Sequence, residues 1–449
     1  MTYGETLEYL YNAAPAFEKV GAGAYKEGLA NTLAFDERYG HLHTKYKTIH
    51  VAGTNGKGSV SHTLAALLQA AGYKVGLYTS PHLVDFSERI RVNGKEIEHQ
   101  YVVDYVEQER EFIESIRPSF FEIVTAMAFK YFAEKEVEIA VIEVGLGGRL
   151  DCTNIITPLL SVITNISFDH TGLLGDTLEK IAAEKAGIIK QGVPVVIGEH
   201  TSETRPVFEQ RAEMLNAPIV FAQDCQYVID SKYDNDTCDR VYVTRCYGKL
   251  TGQLGGQCQE RNVNTVLHCL LPLARAMKSH GMPLTKGGVS PMSCLRKALS
   301  EVCDMTGLSG RWQKIADKPL VICDTGHNVG GWIYLSEQIR VTYNMLRKRG
   351  DSDLYIVFGM VDDKDIDTVL GMLPDNATYF FTQADNHRAI PVETLKAKAE
   401  EKGLRGFAVE NVGKAYAMAK EKAKDNDFIF VGGSSYVVAD FLSGNPQGK

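Results

Sequence analysis

The apolar run Thr48–Ala52 breaks into Gly53-Thr54-Asn55-Gly56-Lys57-Gly58-Ser59, and a helical pattern follows with apolar Ala65, Leu67, Leu68 and Ala71. A strand that ends in such a loop and turns into a helix aims backbone N–H groups and a helix N-terminus at an anion, while the lysine reaches its outer phosphates. The spacing is G-x-x-G-K-G-S, one glycine removed from the common G-x-x-x-x-G-K-[ST] form. A bare glycine turn would need neither the buried strand before it nor the lysine and serine within it. The segment predicts a nucleoside triphosphate site built on Gly53, Thr54, Asn55, Gly56, Lys57, Gly58 and Ser59.

A phosphate loop of this kind belongs to an α/β sheet, and the rest of the chain agrees. Further strand-like runs lie at Val75–Tyr78, Val137–Val144, Leu160–Thr164 and Pro194–Ile197, with helical patterns between them. Ile139-Ala140-Val141-Ile142 is apolar on both faces, as a parallel strand between helix layers must be. The N-terminal part therefore reads as a doubly wound, mostly parallel α/β domain. Tyr227-Val228-Ile229 and Val241-Tyr242-Val243 flank a polar turn region and predict an antiparallel hairpin, and a helix is expected over Asn262–Met277. At 449 residues the chain is too long for one core. The pattern breaks around Asp304, Gly307, Ser309 and Gly310, and a second α/β series follows at Leu320–Cys323, Leu354–Phe358, Thr378–Phe381 and Phe428–Val431. The expected division is a first domain at 1–303, a linker at 304–310 and a smaller C-terminal α/β domain at 311–449.

The formal charge of −8, with no stretch rich in Lys and Arg, argues against a nucleic-acid partner. Nine cysteines lie scattered with no C-x-x-C pair, which fits reduced thiols in a cytoplasm better than a disulfide framework. No apolar run approaches the roughly 20 residues needed to span a bilayer, and the N-terminus lacks the pattern of a secretory signal. A soluble cytoplasmic protein without a membrane partner is expected.

Ligands of open α/β sheets bind beyond the carboxyl ends of the strands. The second strand run leads into Thr79-Ser80-Pro81-His82, the third ends at Glu143, and the fourth leads into Asn165-Ile166-Ser167-Phe168-Asp169-His170. One edge would so collect a triphosphate site, a hydroxyl, a carboxylate and an imidazole. Each has a plainer reading: Ser80 shapes a turn before proline, Glu143 pairs with Arg149, and His170 is a surface histidine. Lys185 shares a helical stripe with Ile181, Ile188 and Ile189. It is either a snorkelling lysine or one held neutral by burial. In the second series, Asp324 ends a strand before Thr325-Gly326-His327-Asn328, where it suits a ribose or phosphate contact, and Arg311 follows the linker, where it could clamp a phosphate; either could equally be a loop-stabilising residue.

With these residues in view, the chain resembles the folylpolyglutamate synthases and bifunctional dihydrofolate synthase/folylpolyglutamate synthases, relatives of the Mur ligases of peptidoglycan synthesis. The resemblance rests on HVAGTNGKGSV at 50–60, SPHL at 80–83, FSERIRVNG at 86–94, FFEIVTAMAF at 120–129, EVGLGGRLDCTN at 143–154, TNISFDH at 164–170 and IAAEKAGIIK at 181–190. SGR at 309–311, CDTGHN at 323–328 and GGSSYVVADF at 432–441 follow more loosely. It implies an N-terminal P-loop ATPase domain and a Rossmann-like C-terminal domain with ATP between them. The implied reaction activates a folate or dihydropteroate carboxylate as an acyl phosphate, which the amine of L-glutamate then attacks. By position in these motifs, Lys57, Lys185 and His327 would be catalytic. Asn262, Arg311 and Asp324 would join the loop in binding ATP. Ser80 and Glu143 would hold one Mg²⁺, and His170 a second together with Lys185 as its carbamate. Phe121, Glu122, Leu150 and Asp151 would line the pterin site, and a monomer is implied. Cys258 stands where the family pattern has histidine, Ser309 where it has proline and Gly326 where it has alanine, and Gly21–Leu33 lacks the family wording. A Mur-type ligase of other substrates and a non-catalytic nucleotide-binding module are the alternatives. The SPHL and FSERI segments favour the folate reading.

Overall fold

The structure is a computed structural model that describes residues 1–13, 28–362 and 364–444, so residues 21–27 of the divergent N-terminal segment lie outside the described residues. Among the described residues the chain forms three sheets. The first has eight strands: β1 (Lys47–Ala52), β2 (Val75–Tyr78), β3 (Ile90–Val92), β4 (Lys95–Glu96), β5 (Ile139–Glu143), β6 (Leu160–Ile163), β7 (Val195–Ile197) and β8 (Ile219–Phe221). Their order is β4-β3-β2-β5-β1-β6-β7-β8, parallel from β2 to β8, with β3 and β4 antiparallel at one edge. The parallel strands were all visible as apolar runs except β8. The short β3 and β4 carry too many polar residues to stand out.

Alternation along the central strands assigns each residue to a layer. Ile49, Val51, Ile139, Val141 and Val162 pack under the helices Lys57–Ala70 and Gln259–Ser279. Ala140 and Ile142 face the helices His99–Ile116 and Phe120–Glu134 on the other side. The start of the second of these helices is fixed by a capping box, Ser119 with Glu122.

The expected hairpin is the first part of a three-stranded antiparallel sheet of β9 (Val228–Tyr233), β10 (Arg240–Thr244) and β11 (Gly248–Gly252). Its inner residues Val228, Tyr242 and Leu250 pack on Val263 and Leu267 of the long helix Gln259–Ser279.

The third sheet contains β12 (Gln313–Asp317), β13 (Leu320–Asp324), β14 (Leu354–Phe358), β15 (Thr378–Thr382), β16 (Gly406–Val409) and β17 (Phe428–Gly432). The order is β12-β13-β17-β14-β15-β16, with all but β12 parallel. Ile322, Ile356, Phe358 and Phe430 pack on one side with Trp312 and Trp332, while Val321, Val357, Ile429 and Val431 fill the other. The stretch expected as linker opens inside a short helix, Val302–Thr306, and turns at Gly307.

Trp332 is fully buried against Phe358 and Phe430. Trp332→Ala is expected to destabilise the C-terminal sheet by about 3–5 kcal/mol in urea unfolding, the usual cost of emptying a large aromatic site. A loss below about 1 kcal/mol would show that this layer is loosely packed.

Candidate functional site

The carboxyl ends of β1, β5 and β6 lie side by side, and the phosphate loop leaves β1 between the other two. Close packing forces its glycines. Gly53 has φ +145°, and a Cβ there would fall 1.8 Å from Thr164 Oγ1. Gly56 has φ +83°, and a Cβ would fall 2.3 Å from Asn262 Oδ1 on the helix Gln259–Ser279. The Thr164 hydroxyl donates to the carbonyl of Asn55 at 2.6 Å, and the Asn55 N–H donates to Asn165 Oδ1 at 2.9 Å. The helix Lys57–Ala70 begins inside the loop, so its first N–H groups face outward to an anion. Lys57 Nζ donates to the carbonyls of Gly53 and Thr54, each at 3.1 Å.

Glu143 ends β5 at 4% exposure. Its Oε2 accepts from the Ser80 N–H at 3.2 Å, and among the described residues no ion pair reaches it. The pairing of Glu143 with Arg149 is not formed. The turn at Gly145–Asp151 carries Arg149 outward, where its N–H donates to the Glu184 carbonyl at 2.7 Å and its guanidinium pairs with the Glu184 carboxylate at 2.9 Å. Burial pushes the Glu143 carboxyl up to about 7, against the opposing pull of Lys57, the Ser80 N–H and Arg311. Arg311 comes from the other lobe: a Cβ on Gly58 would lie 3.8 Å from its Nη2 and 3.9 Å from Glu143 Oε2. Two cations and a buried carboxylate therefore surround the loop.

Lys185 is not snorkelling. It is buried at 5% exposure, and its Nζ donates to the Gly53 carbonyl at 2.9 Å. Burial, then the charge of Lys57, holds its ammonium down to about 7, so a large share is neutral amine near neutral pH.

Beyond β6, Asp169 ties the lobes together. Its carboxylate accepts from Lys364 Nζ at 2.6 Å and Asn328 Nδ2 at 3.1 Å, and His327 Nε2 lies 3.9 Å away. Burial pushes this carboxyl up, but the His327 contact, the neighbouring His170 and the charge of Lys364 outweigh it and hold the group well below the usual carboxylate range. Asn328 Nδ2 also donates to Asn55 Oδ1 of the phosphate loop at 3.0 Å. Burial, partly offset by Asp169, brings His170 down to about 4, leaving a neutral imidazole.

Two cavities open between the lobes. The larger, about 530 Å³, takes in Thr54 to Ser59, Ser80, Glu143, Asn262, Arg311, Asp324 and His327. The smaller, about 270 Å³, takes in Gly53, Phe121, Leu150, Asp151, His170 and Lys185. Lys57, Ser80 and His327 border both, so the two cavities meet at the phosphate loop. Glu122 lines neither: its Oε2 accepts from the Ser119 N–H at 2.6 Å, the Ser119 hydroxyl at 2.9 Å and Asn31 Nδ2 at 3.2 Å, so helix capping consumes it. Asp324 reaches the larger cavity with its carboxylate bonded to the N–H groups of Trp312 at 2.7 Å and Gly326 at 2.8 Å.

One departure from the family pattern, at Gly326, has a local explanation. A Cβ on Gly326 would lie 2.3 Å from Leu335 Cδ1, so Leu335 occupies the room an alanine would need. Cys258 lines the larger cavity as a neutral thiol, pushed up to about 12 by burial. Nothing in the structure explains Ser309.

Asp169, Lys364 and Gln338 were not singled out from sequence. Gln338 on the helix Val329–Arg349 braces one wall of the larger cavity, accepting from the Gln257 N–H and donating to the Gly255 carbonyl at 3.1 Å. Lys364 follows the end of β14, and reading that strand end in the second sheet as in the first would have found it.

Comparison with known proteins gives a consistent result. Residues 51–222 match the Mur ligase middle domain, and residues 310–435 match the Mur ligase, glutamate ligase domain. The chain is 33% identical over 425 residues to the dihydrofolate synthase/folylpolyglutamate synthase of Bacillus subtilis, covering 92% of this chain and 94% of that one. It is 31% identical over 426 residues to the protein of the same name from Escherichia coli, covering 92% and 90%. Among solved structures, E. coli FolC in complex with DHPP and ADP superposes with a TM-score of 0.78 at 28% identity, covering 99% of this chain and 97% of that one. The folylpolyglutamate synthase of Thermotoga maritima gives 0.78 at 31% identity, covering 100% and 97%.

If the Asp169–Lys364 pair holds the lobes together, Lys364→Met should speed tryptic cleavage at Arg311, and Lys364→Arg should not. Equal cleavage rates in both variants and the parent would show that the pair does not restrain the lobes.

Proposed function

The chain belongs to the dihydrofolate synthase/folylpolyglutamate synthase family, and on that basis we propose that it is an ATP-dependent ligase joining L-glutamate to the carboxylate of a folate. The observation that carries this reading is the meeting of two cavities at Lys57, one lined by the phosphate loop and the other by Phe120, Phe121, Leu146 and Leu150 together with charged groups such as Asp151. A triphosphate in the first and a folate in the second would bring a γ-phosphate and a carboxylate together at that lysine. We assign the first domain to 1–303, the connection to 304–310 and the second domain to 311–449, and take the enzyme to work as a cytoplasmic monomer.

The first step sets one anion against another, so positive charge must be held between them. Gly53, Thr54, Asn55, Gly56, Gly58 and Ser59 supply the loop, and Lys57 and Arg311 face the transferred phosphate from either side. Asn262 and Asp324 bound the rest of the nucleotide, beside Cys258.

Glu143 fits a magnesium ion. It is a buried carboxylate whose charge burial opposes, next to the hydroxyl-bearing Ser80, and Mg²⁺ takes hard oxygen ligands together with phosphate oxygens and water. Among the described residues no group of three or more His, Cys, Asp or Glu side chains could hold an ion alone, so phosphate oxygens and water would complete its shell. His170 and Lys185 fit a second ion if Lys185 carries a carbamate. Its neutral amine adds to the carbon of CO₂ and releases one proton, and a nitrogen that is a poor Mg²⁺ ligand becomes a carboxylate. Bound Mg²⁺ would supply Lewis-acid stabilisation of the charge on the transferring phosphoryl group.

Phe121, Leu150 and Asp151 then hold the pterin end of the folate. His327, at the junction of the cavities, faces the acyl phosphate that forms when the folate carboxylate takes the γ-phosphoryl group and ADP departs. Lys364 and Arg388 line the same cavity from the second lobe and place cations where the two carboxylates of L-glutamate would arrive. The glutamate amine attacks the acyl carbon, phosphate leaves, and an amide remains. Contact between the lobes keeps water from the acyl phosphate.

The test is Mg-ATP-dependent phosphate release with L-glutamate, comparing dihydropteroate with tetrahydrofolate. Release with both marks a bifunctional enzyme, release with tetrahydrofolate alone a dedicated polyglutamylase, and silence with both overturns the reading. Lys57→Ala should lower kcat by at least about 100-fold, the scale of losing one charge stabiliser of a transition state. Lys185→Ala should be nearly inactive and partly rescued by small carboxylates. Full activity in the alanine variant would remove Lys185 from the mechanism.

A further inference from the structure

His50 is a buried titratable group that the reaction above does not use. On β1, Ile49 and Val51 point into the core beneath the phosphate-loop helix, and His50, at 0% exposure, points to the opposite side of the sheet. There its Nε2 lies 2.8 Å from Thr153 Oγ1. Thr153, also fully buried, donates its N–H to Asp151 Oδ1 at 3.0 Å and directs its hydroxyl to the same oxygen. Asp151 Oδ2 accepts from the Leu146 N–H at 2.8 Å.

A hydroxyl has one proton to give. With the Thr153 proton on the carboxylate, His50 must donate from Nε2, which fixes its tautomer. Nδ1 then remains as an unpaired buried acceptor, as the structure shows. The reverse arrangement would leave an unpaired buried N–H, which folded proteins rarely tolerate. Burial keeps the imidazole neutral, with its pKa down to about 3. The chain His50 to Thr153 to Asp151 thus runs from the strand beneath the phosphate loop to the wall of the smaller cavity.

We propose that His50 and Thr153 are positioning residues for substrate selection: they hold the Asp151 carboxylate in the orientation that reads the ring N–H and amino donors of a pteridine. The proposal rests on the reading of the smaller cavity as a folate site. The relay meets neither nucleotide nor glutamate, so its effect should fall on the pteridine alone.

The test compares KM for tetrahydrofolate with KM for ATP, at saturating L-glutamate, in His50→Leu, His50→Gln, Thr153→Val, Thr153→Ser and Asp151→Asn. His50→Leu and Thr153→Val should raise the tetrahydrofolate KM on the order of tenfold, as expected for loss of one hydrogen bond supporting a charged group. The ATP KM should stay within about twofold. His50→Gln and Thr153→Ser, which keep the donor, should restore most of the loss. If His50→Leu does not fold, the Thr153 pair makes the same comparison. An unchanged tetrahydrofolate KM in Thr153→Val, or a parallel rise in the ATP KM, overturns the relay while an effect of Asp151→Asn preserves the folate reading. No effect in Asp151→Asn overturns the folate reading of the cavity, and the relay with it.

Discussion

The contact between Asp169 and Lys364 is the one on which the geometry of the site depends. Each lobe taken alone is an ordinary α/β sheet edge: one carries an anion loop, the other a loop with a histidine and an asparagine. Asp169 meets Lys364, Asn328 and His327 of the second lobe at once, and Asn328 passes the connection on to Asn55 in the phosphate loop. The carboxylate is only 11% exposed, and a charge so shielded from water is costly to leave without a partner. The lobes are so held in register by a group that cannot be left unpaired.

The same accounting applies to the charges inside the site. Glu143 and Lys185 are both nearly free of water, and burial moves each toward its neutral form. Both feel the charge of Lys57, which favours an ionised Glu143 and a neutral Lys185. A resting protein therefore keeps one group that gains from a cation and one that can react as an amine. Both properties follow from burial rather than from any single contact.

Much of this was legible in the sequence because strand ends are legible. β1, β5 and β6 are mostly apolar runs, and the residues that follow them in the chain line the two cavities. The carboxylate of Glu143 and the amine of Lys185 could be flagged as costly from their apolar neighbours alone, although only coordinates show that Arg149 turns to Glu184 and that Lys185 bonds to Gly53. Glu122 shows how one motif serves two ends: its neighbour Phe121 lines the smaller cavity while Glu122 turns back on Ser119, a difference that only the capping geometry reveals. Asp169 stayed hidden because its partners are about 160 and 195 residues away, a separation that no local pattern records.

The helix Val329–Arg349 lines the larger cavity from Gly330 to Gln338 and meets opposite walls at the two ends of that stretch. Near its start a Cβ on Gly330 would lie 3.0 Å from Asn55 Nδ2, and two turns on Gln338 grips the backbone at Gly255 and Gln257. Eight residues of helix at about 1.5 Å each separate these points by roughly 12 Å. The helix is thus a ruler laid along the larger cavity, with one end on the phosphate loop and the other on the turn at Gly255 to Gln257. Its calibration is rotational as well as linear, because one inserted residue would swing Gln338 about 100° around the axis. The spacing between these two residues sets how far apart the phosphate loop and the Gly255 to Gln257 turn stand across the cavity.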